Sequence, residues 1–537
     1  MHHVQTSLFA CTNGDRLGDH ASPCYTEDDS NAMKALLQDF MCGPTDKCTQ
    51  NLSFTCKKHA AELLFHDLNR GGAGNPTYIA QARSQSEIAH DLTVNLEAHG
   101  YLPDANVLPV YTFMPKMHKP TIGARFLSLS HQSVMRTAAV WCTAAMRALT
   151  QDMVEMWEEL NFPPGGFNCW VLKDSAQFIP TIESYNGSRT LLQHEVPPFL
   201  WQFDFERLYT ELDQEDLKAK LAEFIHRVFA RHPDQILFTY SYKAHKWDVP
   251  PHADPGQRPR QGQKAFTAQS LISLINMIID NAYIQVGGSV YKQVKGIPMG
   301  VNPACFFADF YLYTYELKFF ERLLPLVLTN PTAQRVMQAF RFCGRKLDDL
   351  QTISHESLSF LQQFIYTNQE VDGVSGIYPA DSIRLIPCND SNSQKANFTD
   401  ITIYPSLQDR GPLTTDLYDK RREPGFRQRL KPNKYPPADT LLSRNCKFNV
   451  FTSQFIRFTR MIGNSANFVV ETANLIQVLN AIGHPEGPLL KKCWNMLLDR
   501  PWLFGVGQEQ RHARKEAKGL YKLIYQRVRM GLMTCDK

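Results

Sequence analysis

The apolar positions along the chain change period several times, and each change predicts an element. Between Ser84 and His99, the residues Ile88, Leu92 and Leu96 recur at four-residue spacing, which places them on one face of a helix. Val107 to Phe113 alternates, the period of a half-buried strand. Residues 198–212 read as a strand, a turn and a helix, with Asp204 at the strand's end, and 268–283 as a long apolar helix. Ile284 to Val294 predicts a hairpin turning at Gly287-Gly288. A Gly/Pro-opened loop from Gly296 leads into a helix rich in Phe and Tyr that runs to Phe320. Arg341 to Ile353 predicts strand–turn–strand, and Ile401 to Tyr404 with Leu413 to Tyr418 a further hairpin. Beyond about residue 440 the chain is helical and basic.

Between these elements lie two segments of different character. Residues 1–60 are polar and turn-rich, with an acidic Glu27-Asp28-Asp29 patch, and read as a variable extension. Arg421 to Asp439, rich in Pro, Lys and Arg, marks a subdomain boundary.

Composition narrows the picture. At 537 residues the chain exceeds one ordinary core, so about two to four domains or subdomains are expected. A hydrophobic content of 43% argues against wholesale disorder. The formal net charge is only +4, so any nucleic-acid role must come from local basic patches. Met1 to Ala10 lacks a basic leader and a sustained apolar run, and no run approaches the roughly 20 residues that span a bilayer. An intracellular protein with no membrane partner is therefore expected. The 13 cysteines include no CxxC pair, which fits reduced thiols better than a disulfide framework. Cys42, Cys48, Cys56 and His59 lie close enough together to raise zinc; their spacings are not those of a zinc finger, and core cysteines are the plainer reading.

The chemistry concentrates in three carboxylates. Asp348 and Asp349 are adjacent in Arg345-Lys346-Leu347-Asp348-Asp349-Leu350, and Asp204 lies upstream in Gln202-Phe203-Asp204-Phe205-Glu206. Neighbouring like charges repel and resist burial. A bound divalent cation removes that objection, whereas a lone Asp-Asp pair is otherwise a solvated turn. Three carboxylates around two magnesium ions, roughly 3.5–4 Å apart, meet the needs of nucleotidyl transfer: one ion lowers the pKa of a 3′-hydroxyl and the other steadies the leaving pyrophosphate. The three converge if the Asp204 strand and the Asp348-Asp349 hairpin are neighbours in one antiparallel sheet, with the Phe205 carbonyl completing the cage. Downstream, Gly296 and Gly300 let the backbone approach a base or template strand closely, and Pro303-Ala304 opens a helix.

The order of these segments resembles a known family. Asp204 with Tyr209, then Gly296-Ile297-Pro298-Met299-Gly300-Val301-Asn302-Pro303-Ala304, then Asp348-Asp349 is similar to motifs A, B and C of reverse transcriptases. Pro115-Lys116-Met117-His118-Lys119-Pro120 followed by Arg125 resembles the fingers segment of Penelope-like element reverse transcriptases. Asn397 to Ile403, Leu413-Thr414-Thr415-Asp416-Leu417-Tyr418-Asp419-Lys420, and Tyr435-Pro436 with Lys447 and Gln454 to Arg460 are similar to that family's later motifs. The resemblance covers roughly residues 60 to 470, and telomerase catalytic subunits are the relatives it implies. Two positions before the aspartate pair, where an aromatic is usual, stands Lys346, which can neutralise the carboxylates or touch primer phosphate. Asn302-Pro303 replaces the usual Ser-Pro. Gly376-Ile377-Tyr378 lacks the partner motif of a GIY-YIG endonuclease, so the resemblance is to members lacking one.

The resemblance implies an α+β right-hand polymerase: an extension at 1–60, an N-terminal region and fingers at 61–200, a palm with an antiparallel sheet at 201–420, and a helical thumb with basic C-terminal helices at 421–537. It implies RNA-directed DNA synthesis from a primer, with Asp204, Asp348 and Asp349 holding two Mg²⁺ ions, for which Mn²⁺ can substitute. Tyr209 would select deoxynucleotides by clashing with a 2′-hydroxyl; a core tyrosine is the alternative. Lys119 and Arg125 would meet the triphosphate, and Gln293, Gly296, Gly300 and Pro303 would line the template and nascent pair. Lys346, Arg457 and Arg460 would hold nucleic acid, as could the basic tail from Arg511 to Arg529, which equally suits an amphipathic surface helix. The partners are then an RNA template, a DNA primer or RNA–DNA hybrid, and dNTPs, with nuclear residence. A non-catalytic RNA-binding relative and an RNA-dependent RNA polymerase stay open as rivals.

Overall fold

The computed structural model describes residues 26–531 apart from 71–73, 118, 120–121, 163–166, 193–196, 234–235, 241–261, 299, 390–393, 407–412, 428–429, 431–434, 441 and 501–509. His118, Pro120 and Met299 of the motifs above lie outside the described residues.

Sequence position 26 begins a capped start. The Thr26 hydroxyl accepts from the Asp29 amide and heads the helix Glu27–Asp39, which feeds a hairpin of Phe40–Thr45 and Cys48–Cys56. The helix Lys57–Leu68 follows and buries Leu64 and Leu68 against Tyr111, Phe113 and Ile284. Those last three belong to a five-stranded sheet in the order Tyr78–Gln81, Ser289–Gln293, Tyr283–Val286, Val110–Lys116, Gly123–Leu129. The predicted helix at 84–99 is Gln85–Ala98, capped by Ser84, with Ile88, Leu92 and Leu96 buried as their spacing requires. The strand predicted at 107–113 instead runs Val110–Lys116, the length over which it pairs with Gly123–Leu129.

A four-stranded antiparallel sheet holds the three aspartates, in the order Phe342–Lys346, Asp349–Ser354, Phe199–Glu206, Arg384–Pro387. One face carries Trp201, Phe203, Phe205 and Leu350 into the largest core, built with the helices Gln214–Ala230, Ala268–Asp280 and Ala304–Leu323. The far end of the other face is covered too: Leu200, Phe342 and Ile353 pack with Phe178 and Tyr185 in a second core. Gly344 admits the Phe178 ring there, since a Cβ would overlap it. The end bearing Asp204 and Asp349 is left partly open.

The second core joins this sheet to a three-stranded sheet, Ala396–Phe398, Ile401–Pro405 and Leu413–Leu417. Onto it pack the helices Arg444–Met461, Ser465–Ala481, Glu486–Leu498 and Gln510–Arg529. The last buries Ala517, Ile524 and Val528, whereas Leu523 faces out at 52% exposure. A basic helix here is therefore docked on one stripe, with its cations on the other.

Candidate active site

Register brings the aspartates together. Asp349 is the direct partner of Asp204 across neighbouring antiparallel strands, so both side chains leave the same face. The Phe205 amide donates to the Asp348 carbonyl at 2.9 Å, which extends the ladder one residue into the turn. Leu347 and Asp348 form the two-residue turn between Lys346 and Asp349. Leu347 has a left-handed φ of 55°, a conformation that L-residues with large side chains rarely adopt.

Something must hold that turn, and Arg345 does. Its side chain is fully buried, and its guanidinium N–H groups make five hydrogen bonds. Nε donates to the Glu316 carboxylate at 2.6 Å, Nη1 to the Asp309 carboxylate at 2.9 Å and to the Leu347 carbonyl at 3.2 Å, and Nη2 to the Asp309 carbonyl at 3.1 Å and to the second Glu316 oxygen at 3.3 Å. The Tyr378 hydroxyl adds a bond of 2.8 Å to the equally buried Glu316. Burial works against the Arg345 charge, and Glu316 and Asp309 outweigh it and hold its pKa up. The strained turn is thus pinned from behind to the helix Ala304–Leu323 by a charge-assisted network.

On the open side the electrostatics reverse. Burial, then the neighbouring Asp348 and Glu206, push the Asp204 carboxyl up. Burial, then Asp348 and Asp204, push Asp349 up to about 6, against the opposing charges of Lys47 and Lys346. Lys119 likewise opposes the rise at Asp204. Among the described residues no three His, Cys, Asp or Glu side chains converge closely enough to hold a metal ion. The donor set nonetheless fits a divalent cation: oxygen ligands only and partly buried, with Asp204 and Asp349 raised in pKa by burial and then by neighbouring carboxylates whose repulsion a dication would relieve. Asp204, Asp348 and Asp349 are the residues that would hold it, once drawn closer together than they stand here. Phe205 is buried with its ring edge-on to Tyr378, 5.3 Å between centroids, and acts here through its backbone.

Tyr209 follows the left-handed turn at Arg207 and packs at the edge of the large core. Burial raises its hydroxyl's pKa, with Asp309 and Asp348 adding to the rise. Its carbonyl accepts from the Ile297 amide at 3.0 Å. Gly296, at φ 75°, sits so close to Tyr209 and Thr210 that a Cβ would overlap their backbone. Gly300, at φ 100°, is in the same position against Ser128. The close approach expected of both glycines is present, and the backbone approached is the chain's own. Gln293 is buried rather than displayed, and its amide donates to the Lys295 carbonyl at 2.6 Å, bracing the same turn. Pro303 is buried at the head of the helix Ala304–Leu323.

Fingers and thumb candidates divide. Arg125 and exposed Lys119 gather with Lys116, whose pKa burial lowers first and Arg125 and Lys119 lower further. Lys346 flanks Asp349 in the hairpin. Arg457 is turned to Asp400 in an ion pair of 3.1 Å, while Arg460 on the same helix is exposed. Neither is brought near the aspartates by any contact described above.

Asp309 and Glu316 escaped the sequence reading as site residues. Asp309 is four-fifths buried and pushed up to about 6 by burial against the pull of Arg345, with Glu316 and Asp348 adding to the rise. The available signal was Asp309 and Glu316, seven residues and so about two turns apart on one face of a largely apolar helix, with an arginine just before the aspartate pair.

No protein-family profile and no curated protein matches the chain. Among solved structures, telomerase from Candida albicans, in complex with the TWJ fragment of telomeric RNA, is similar with a TM-score of 0.55 at 11% identity, covering 92% of this chain and 72% of that one. Apo telomerase from Candida tropicalis gives a looser likeness, TM-score 0.44 at 12% identity, over 97% of this chain and 79% of that one. Mixed helices and sheets in this arrangement are the right-hand polymerase fold, in the form that telomerase shares.

Proposed function

We propose that the chain is an RNA-directed DNA polymerase of a Penelope-like retroelement, extending a primer 3′ end by two-metal nucleotidyl transfer. The observation that carries the reading is the register of Asp349 opposite Asp204, with Asp348 bonded through its carbonyl to Phe205, at the open end of the sheet. The Penelope-like branch rests on the Pro115–Arg125, Asn397–Ile403 and Leu413–Lys420 segments. RNA template, DNA primer or hybrid, and dNTPs are the partners this reading requires. Nuclear residence goes with it, tested by imaging a tagged copy. Among the described residues no helix is long and apolar enough to cross a membrane.

In the proposed reaction Asp204, Asp348 and Asp349 bind and orient, holding Mg²⁺ or Mn²⁺. When bound, the ions supply an activated 3′-hydroxyl and a stabilised pyrophosphate. Arg345 keeps the turn in place, Lys119 and Arg125 offer cations to the triphosphate, and Tyr209 stands where a ring excludes a 2′-hydroxyl. The test is primer extension on an RNA template with Mg²⁺, wild type against Asp348→Asn. Extension by the wild type alone supports the reading. Equal nucleic-acid binding with extension by neither protein supports a non-catalytic RNA-binding relative, and wild-type preference for ribonucleotides supports an RNA-copying RNA polymerase.

A further inference from the structure

The hairpin at 40–56 is anchored where an N-terminal extension has no evident reason to be. Its tip is the two-residue turn Asp46-Lys47, closed by the Thr45–Cys48 pair, with the Thr45 hydroxyl donating to the Cys48 carbonyl at 2.8 Å. Lys47 takes a left-handed φ of 64° there. The Asp46 amide donates to the Pro115 carbonyl at 3.0 Å, fixing the tip to the strand that carries Lys116. Cys48 is buried with Phe426 and Leu430, against Met117, so the hairpin bridges the loop after Lys116 to the segment that precedes the C-terminal helices.

The tip meets the basic cluster with a carboxylate. Arg125 Nε lies 3.1 Å from Asp46 Oδ1, and the two ends differ: the Asp46 side chain is 4% exposed and that of Arg125 is 40% exposed. The acid is therefore the fixed member and the guanidinium the one presented to solvent. Asp46 Oδ2 is buried with no hydrogen-bond partner. An unsatisfied buried carboxylate oxygen is costly, and a second N–H from Arg125 would close the pair into a two-bond fork.

We propose that the hairpin tip is a wall of the nucleotide site, in which Asp46 is a positioning residue that holds the Arg125 guanidinium to receive a nucleoside triphosphate. This rests on the polymerase reading of the site. A guanidinium anchored through one edge keeps the other edge free for phosphate oxygens, and anchoring it beforehand removes the entropy of ordering a long side chain on binding.

The experiment is steady-state primer extension with dNTP titration, on the full chain, for wild type, Asp46→Asn, Arg125→Ala and the double variant, with thermal melting of each. A positioning role predicts that Asp46→Asn and Arg125→Ala each raise the KM for dNTP about tenfold, with kcat changed by less than about threefold. The double variant then behaves like Arg125→Ala alone, because one effect acts through the other. If Asp46→Asn does not fold, Arg125→Lys tests the same point, since a lysine cannot form the fork, and the same KM rise is expected. An unchanged KM with a lowered melting temperature overturns the proposal in favour of a structural ion pair. A lowered KM overturns it in favour of a carboxylate that competes with the triphosphate. A wild type that neither extends nor binds dNTP overturns the polymerase reading itself, and does so before any variant is compared.

Discussion

Asp349 carries a charge that its surroundings disfavour, and the consequence depends on pH. Burial, Asp348 and Asp204 raise its pKa from 3.8 to about 6. Without metal, the folded chain holds a proton there that the unfolded chain has lost, between about pH 4 and pH 6. That contribution to stability is complete below the unfolded value and is lost as pH rises through about 6; above it, the ionised group is a net cost. Asp349→Asn is expected to stabilise the metal-free protein by roughly 1–2 kcal/mol at about pH 8, after allowance for solvent screening, and by nothing at about pH 4. The same substitution should abolish nucleotide incorporation, the trade between stability and activity expected of a charged site. Denaturant melts at the two pH values, beside an extension assay, check both halves. Tyr209→Ala tests the neighbouring residue: discrimination against ribonucleotides should fall by about tenfold or more, measured as the ratio of kcat/KM for dNTP and rNTP. Unchanged discrimination would leave Tyr209 as a core tyrosine.

Among the elements, the hairpin Phe342–Ser354 depends most on a partner distant in sequence. Arg345→Met removes the only cation bonded to Glu316 among the described residues and frees the Leu347 carbonyl. It should cost about 3–5 kcal/mol, the range for breaking a buried pair. Arg345→Met with Glu316→Leu should recover part of that loss, because Glu316 is then no longer left as a buried charge without its partner, while Asp309 still loses its own. Urea melts of the two variants decide it; a double variant as unstable as the single would mean that packing, not charge, holds the hairpin. This network also shows where sequence reading stops. The strand–turn–strand at 341–353, the Gly287-Gly288 hairpin and the helix capped by Ser84 were legible because period and turn chemistry are local. An arginine inside a strand reads as an exposed cation until topology places Asp309 and Glu316 behind it. Gln293, Gly296 and Gly300 were expected to line the template and nascent pair, and their neighbours here are Tyr209, Thr210, Ser128 and the turn's own carbonyls. Sequence shows that a close approach is needed; it does not show to what.

For the whole molecule, the legible feature was the order of segments, and the hidden one was how the N-terminal hairpin closes on them. Polar, turn-rich composition made residues 1–60 read as an extension, yet residues 40–56 reach the basic cluster and the segment around Phe426. Composition reports solvent exposure on average, and a two-stranded hairpin with few buried side chains scores low however well its tip is placed. Net charge was equally uninformative at +4, because 57 Lys and Arg nearly balance 53 Asp and Glu over the chain, while the C-terminal helix presents a local basic face and the aspartates sit at the sheet's open end. If that face holds phosphates, affinity for an RNA–DNA hybrid should fall steeply with salt, and Arg514→Ala with Lys518→Ala should flatten the slope of log K against log salt by up to about two charges' worth. An unchanged slope would make the helix a structural one.

The most direct test of the central claim is single-nucleotide extension of a primed RNA template with Mg²⁺ and dNTPs by the wild type and by Asp348→Asn, at matched hybrid binding. Extension by the wild type, lost in Asp348→Asn while binding persists, is the result the account predicts. Tight binding by both proteins with no extension by the wild type, in Mg²⁺ or Mn²⁺, would contradict it.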